Sequence, residues 1–187
     1  MKTEKESVNK LLRKEIFETL RKKLDKEEAE KIIFAKIVDC PQYVDANKIL
    51  CYFAKENEVN TFLIIEDALK RKKQLGLPVM VNETLKFLSV NKNTTFNTGK
   101  YGITEPSEGE ILNNADIIIV PMVAFDRDCN RLGHGKGYYD RFLAKEKGFR
   151  IGIAFSEQEG EIETFPHDIA MDMVITEKDI FYRASVK

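Results

Sequence analysis

Ala115-Asp116-Ile117-Ile118-Ile119-Val120-Pro121 is the stretch that decides the fold. The run from Ile117 to Val120 leaves no polar side for water. It suits a strand covered on both faces, as in the middle of a parallel sheet, and Pro121 ends it. Working outward, Ile49-Leu50-Cys51-Tyr52-Phe53 is a second compact apolar run. Residues 77–81 and 85–90 read as strands, as do 150–155 and a short final one over 173–176. Helices fall between them. Val8, Leu12, Ile16, Leu20 and Leu24 recur at every fourth position, and Leu11 and Phe17 widen the stripe. Asp25 with Glu28 predicts a capping box that opens a second helix, ending before Pro41. A third helix starts at Asn60 or Thr61 and runs to Gln74, stopped by Gly76; a fourth covers residues 138–147. Residues 91–113 are polar and turn-rich, and are expected to hold loops. Strands alternating with helices predict one α/β domain over residues 1–187: a three-layer α/β/α arrangement around a mostly parallel sheet.

The composition bounds the chemistry. A length of 187 residues suits one domain, and 43% hydrophobic residues are enough for a proper core. Thirty Lys and Arg against thirty-one Asp and Glu give a net charge of −1, so a phosphate-backbone binder is not expected and neither is a nucleic-acid partner. Cys40, Cys51 and Cys129 are an odd number without close spacing, which argues against a disulfide framework or a zinc site. No apolar run approaches the ~20 residues that span a bilayer. The expectation is a soluble, cytoplasmic monomer with reduced thiols and no membrane partner.

Beyond the central strand, the segment Phe125-Asp126-Arg127-Asp128-Cys129-Asn130-Arg131-Leu132-Gly133-His134-Gly135-Lys136-Gly137-Tyr138-Tyr139-Asp140-Arg141 carries the chemistry. It lies between a buried strand and a helix, where α/β sheets bind ligands. Glycines at alternate positions let the backbone approach an anion, and Arg131, His134 and Lys136 supply positive charge. The pattern is not a Walker A loop, because Gly137 stands where Ser or Thr would follow Lys136. Nor is it G-x-G-x-x-G, whose third glycine falls one residue later.

Arg131-Leu132-Gly133-His134-Gly135-Lys136-Gly137-Tyr138-Tyr139-Asp140 resembles the signature of the 5-formyltetrahydrofolate cyclo-ligase family, also called methenyltetrahydrofolate synthetases. Val120-Pro121, Phe125-Asp126, Glu58-Val59-Asn60-Thr61, Leu77-Pro78, Gly102-Ile103-Thr104-Glu105-Pro106 and Ala154-Phe155 through Gln158 resemble shorter family motifs in the same order. The resemblance implies an enzyme that uses ATP as co-substrate and Mg2+ to turn 5-formyltetrahydrofolate into 5,10-methenyltetrahydrofolate, releasing ADP and phosphate. In that chemistry the formyl oxygen is phosphorylated, a neighbouring folate nitrogen closes the ring, and phosphate departs. The site must hold two ligands in line and neutralise phosphate charge.

Residue by residue, the resemblance implies that Arg131, Leu132, Gly133, His134, Gly135, Lys136, Gly137, Tyr138 and Tyr139 hold ATP. His134 to Tyr138 also face the folate. Arg131, Lys136 and Tyr138 are the implied catalytic residues, and Asp140 with Asp168 the implied magnesium ligands. Near the N-terminus the resemblance implies Lys10 as an ATP ligand, with Arg13 or Lys14 as its companion, since the Leu-Leu-Arg-Lys run permits two registers. Glu58 matches the position that pairs with the pterin, and Phe53 an apolar position of the folate pocket. Tyr101 and Glu105 border that region with no role assigned. Two rival classes remain: a nucleotide-binding module without turnover, and a sugar-phosphate isomerase or acyl-CoA transferase on a similar fold, which would work without ATP.

Overall fold

A computed structural model describes residues 2–23, 25–99, 102 and 104–184. Leu24, Tyr101 and Ile103 of the expectations above lie outside the described residues. In chain order the elements are α1 (Lys2–Lys22), α2 (Lys26–Asp39), α3 (Pro41–Asp45), β1 (Lys48–Leu50), α4 (Phe62–Lys70), β2 (Gln74–Val81) and β3 (Thr84–Val90). Then follow β4 (Phe96–Thr98), β5 (Thr104–Pro106), β6 (Ile117–Val120), β7 (Ala124–Phe125), β8 (Arg131–Leu132), α5 (Tyr138–Leu143), β9 (Phe149–Ile153), β10 (Met173–Ile175) and β11 (Ile180–Tyr182).

The apolar run becomes β6, buried at all of its positions. It pairs in parallel with β1 (Ile49 opposite Ile117) and with β9 (Ile119 opposite Ile151). The seven-stranded sheet runs β11-β10-β9-β6-β1-β2-β3, with β10 to β2 parallel and antiparallel β3 and β11 at the two edges. From β1 the chain crosses through α4 to β2 on one side, whereas from β6 it crosses through α5 to β9 on the other. The order therefore reverses between β1 and β6, and the strand ends diverge there into a crevice.

Both faces are covered, unequally. Ile16 and Leu20 of α1, Ile33 and Ile37 of α2, and Ile64 and Ala68 of α4 pack against one face. The other face holds Leu143 of the six-residue α5, with Tyr138 and Phe142, around Phe87, Val120 and Met171. The three layers are thus four helices, the sheet, and a thin layer of one short helix with loops.

Several boundaries differ from expectation for identifiable reasons. Asp25 forms no side-chain cap; its backbone is not extended, and its carboxylate reaches Lys23 at 3.4 Å instead. The second helix does end before Pro41, at Asp39, but Pro41 then opens a further helix, α3, at its first turn, where a missing N–H costs nothing. The third helix stops near Lys70, because Lys72 adopts a left-handed backbone (φ 59°), and Gln74 already belongs to β2, with Gly76 inside that strand. Asn82 and Glu83, both at positive φ, turn β2 into β3 as a hairpin. Residues 91–113 are not all loop, since β4 and β5 pair within them. The strand over 173–176 is not the last, because β11 follows at the edge. Among the described residues no helix is long and apolar enough to cross a membrane.

Candidate active site

The crevice at the β1/β6 divergence is a cavity of about 1130 Å³. Tyr52, Phe53, Lys55 and Glu58 line it from the chain leaving β1, and Pro121 from the end of β6. Arg131 to Arg141 form its floor, Pro78 to Met80, Leu85 and Glu105 one side, and Phe165 to Ile169 another. Glu6, Asn9 and Arg13 reach it from the amino-terminal half of α1.

The glycine loop takes its shape from backbone that other residues resist. Gly135 (φ 89°) and Gly137 (φ 64°) are left-handed, and Gly137 leads directly into α5. At Gly133 a side chain would stand 2.9 Å from Arg131 Nη1. Arg131, on β8, is anchored under this loop with its side chain only 4% exposed. Its Nη2 donates to Asp140 Oδ1 at 2.9 Å and its Nη1 to the Pro121 carbonyl at 3.3 Å. Its buried Nε has no partner among the described residues. The guanidinium also lies 5.6 Å from the Tyr139 ring centre.

Two carboxylates from distant parts of the chain, Asp140 and Asp168, line this cavity. Asp140 Oδ1 also accepts from the Ile169 N–H at 3.4 Å, which holds the residue after Asp168 beside the start of α5. Asp168 Oδ2 accepts from the Phe165 N–H at 2.8 Å and closes its own loop. Among the described residues no cluster of three or more metal-ligating side chains occurs. Two carboxylates suit a hard divalent cation that completes its shell with water and phosphate oxygens, so the donor set fits Mg2+.

Glu58, which also lines the cavity, is 8% exposed. Its Oε2 accepts from the Lys55 N–H at 2.9 Å, and its Oε1 is 3.1 Å from His134 Nε2. His134 stacks on Phe17 of α1 with ring centres 6.1 Å apart. Phe53 faces Phe96 of β4 across 6.1 Å. Burial and then the Glu58 charge push the Tyr52 and Tyr139 phenols well above their ordinary range, so both remain neutral donors. Tyr52 donates to the Val59 carbonyl at 2.6 Å.

Of the three basic candidates on α1, the structure brings Arg13 to the cavity. Its Nε donates to the Gly133 carbonyl at 2.8 Å, and burial lowers its pKa while Asp168 acts in the opposite sense. Lys10 and Lys14 are exposed and do not line the cavity, Lys14 lying 3.9 Å from Glu18. The remaining candidates, including Leu132, Lys136 and Tyr138, all line it. Asn9 escaped the sequence reading. It is buried, and its amide pairs in both directions with the Glu163 backbone, at 2.7 Å to the carbonyl and 3.1 Å from the N–H. The available signal was a polar residue one helical turn before Arg13.

A model of the 5-formyltetrahydrofolate cyclo-ligase family matches residues 5–177. The chain belongs to this family. The 5,10-methenyltetrahydrofolate synthetase of Aquifex aeolicus superposes with a TM-score of 0.86 at 30% identity, covering 96% of this chain and 95% of that one. The synthetase of Mycoplasma pneumoniae gives 0.74 at 25% identity, covering 90% and 98%. The 5-formyltetrahydrofolate cyclo-ligase of Haemophilus influenzae is 31% identical over 153 residues, 76% of this chain and 81% of that one. Both cyclo-ligase fold and family membership extend over nearly the whole described chain.

Proposed function

We propose that the chain converts 5-formyltetrahydrofolate to 5,10-methenyltetrahydrofolate with ATP and Mg2+, releasing ADP and phosphate. The observation that carries this reading is one large cavity that gathers Arg13, Arg131, Asp140 and Asp168 around a glycine loop and also presents a buried carboxylate, Glu58, beside His134 of the same loop. At about 1130 Å³ the cavity exceeds the ~300–1,000 Å³ usual for one small ligand, so it has room for two ligands side by side.

A formyl group on nitrogen is an amide, with a poor electrophilic carbon and an oxygen that does not leave. Moving the γ-phosphoryl group to that oxygen converts it into a leaving group, and the site's task is alignment and charge neutralisation. Gly133, Gly135 and Gly137 let backbone N–H groups approach the phosphates, while Lys136 and Arg131 offset their charge. The unpartnered Arg131 Nε gives a further reason for an anion here, since a buried donor without an acceptor costs about 1–3 kcal/mol. Asp140 and Asp168 would hold Mg2+, which would supply positive charge to offset that of the phosphates. Glu58 would exchange His134 for the N–H groups of the pterin, a pairing that rejects rings without those donors. The three buried, unpaired cysteines suit a reducing compartment, and the cytosol is the proposed location.

The test mixes protein, 5-formyltetrahydrofolate, ATP and Mg2+ and follows the methenyl-folate absorbance band. Growth that requires both ATP and Mg2+ supports the reading. ATP binding with no band growth would favour the binding-module alternative.

A further inference from the structure

Ring closure has a proton to dispose of. The attacking folate nitrogen, N10, carries one hydrogen in 5-formyltetrahydrofolate and none in the methenyl product. As the N10–carbon bond forms, the N10–H bond must break, and a base must receive that proton before the carbon–oxygen bond breaks and phosphate leaves. Resting on the function proposed above, we infer that Glu105 is this base.

Five carboxylates line the cavity, and four are committed or outside its interior. Glu58 has both oxygens engaged, by His134 and by the Lys55 N–H. Asp140 holds Arg131, and Asp168 closes its loop on Phe165 beside it. Glu6 is exposed on α1. Glu105, on β5, is 9% exposed and lines the cavity. It forms no ion pair with a described residue, and its hydrogen bond from the Met80 N–H is long, 3.4 Å. A nearly buried carboxylate on the cavity wall, to which the described residues give only a long hydrogen bond, is placed to accept from a bound ligand. Its neighbours along the wall are Pro78, Val79, Met80 and Leu85, which offer an aromatic or aliphatic ligand surface and no competing side-chain proton.

The carboxylate packs closely against backbone. A Cβ on Gly99 would meet the Glu105 carboxyl group, so this group lies directly against the chain just beyond β4. The β4–β5 pair and the contact of β5 with β2 hold it against the cavity wall. General-base catalysis needs this fixed approach to the proton being removed.

Glu105→Gln keeps the size and the Met80 contact but cannot take a proton. Steady-state methenyl formation should fall about 10²–10³-fold, with the KM values for ATP and folate each within about threefold of the parent protein. Phosphoryl transfer precedes the proton step, so the variant should still scramble ¹⁸O between the β,γ-bridging and β-nonbridging positions of labelled ATP when 5-formyltetrahydrofolate is present. Glu105→Asp, which keeps a carboxylate one methylene short, should recover part of the lost rate. Thermal unfolding of Glu105→Gln with and without ATP and Mg2+ checks that the fold and the nucleotide site persist. Turnover of Glu105→Gln within threefold of the parent protein would overturn the inference, as would isotope scrambling that falls in step with turnover. If the parent protein itself makes no methenyl product, the proposed function fails instead, and the two failures are distinct.

Discussion

Asp140→Asn separates two demands placed on one carboxylate. Before any ligand binds, Asp140 neutralises Arg131 at 2.9 Å, with side chains 16% and 4% exposed. Asparagine retains an acceptor for Nη2 and removes the charge. A hydrogen bond to a charged partner contributes about 1.5–3 kcal/mol against about 0.5–1.5 for a neutral one, so the loss is about 1.5 kcal/mol. Outright removal of one partner of a buried pair costs about 3–5 kcal/mol, and Asp140→Ala should approach the lower figure because its site is partly wet. For a chain of this size, about 2–4 °C of Tm per kcal/mol converts these into drops of about 5 °C and about 9 °C. Calorimetry on both variants, repeated in an Arg131→Met background, is the assay. With the guanidinium gone, the Asp140→Asn penalty should fall below about 0.5 kcal/mol. An equal penalty in both backgrounds would refute the reasoning that Arg131 is what Asp140 stabilises.

Glu58→Gln should raise the KM for 5-formyltetrahydrofolate about tenfold or more with ATP kinetics nearly unchanged, because an amide presents a donor to pterin N–H groups; equal damage to both ligands would assign Glu58 to the fold. Asn9→Ala strips both partners from the Glu163 backbone and should cost about 2 kcal/mol, with faster amide exchange over residues 160–168. Unchanged exchange there would show that α1 does not fasten this loop. Burial pushes the Cys51 thiol up to about 12 and the Cys129 thiol up to about 11, and Cys40 is raised by the same cause. At pH 8 all three therefore stay protonated, and a thiolate-specific reagent should label none of them within minutes in native protein and all of them in urea. Rapid native labelling of any one would contradict its burial.

The parallel core was legible because its strands are apolar on both faces, and β6 is the plainest case. The edges were not. Phe181 of β11 is half-buried between the exposed Ile180 and Tyr182, too short an alternation to register. Lys72 ended α4 by adopting a backbone that lysine seldom takes, so helix periodicity carried the expected boundary too far. In α1 the fourfold stripe holds at Ile16 and Leu20 and fails at Val8, which is exposed. That half of the helix faces the cavity with Asn9 and Arg13 where a core helix would be apolar. The glycine loop, Asp140 and Glu58 were singled out through the family's motif, and the structure places all of them, with Asp168, along one cavity. Glu105 was not legible as an acceptor, because its burial depends on the β4–β5 pairing, which no local pattern announces.

If one cavity moves a phosphoryl group from ATP onto the formyl oxygen, that oxygen must leave with the phosphate. With 5-formyltetrahydrofolate carrying ¹⁸O in its formyl group, the inorganic phosphate released is analysed by ³¹P NMR or mass spectrometry. Each phosphate formed should carry one ¹⁸O, in step with methenyl product. Unlabelled phosphate appearing alongside that product would mean that ATP is hydrolysed by water and the formyl oxygen leaves by another route.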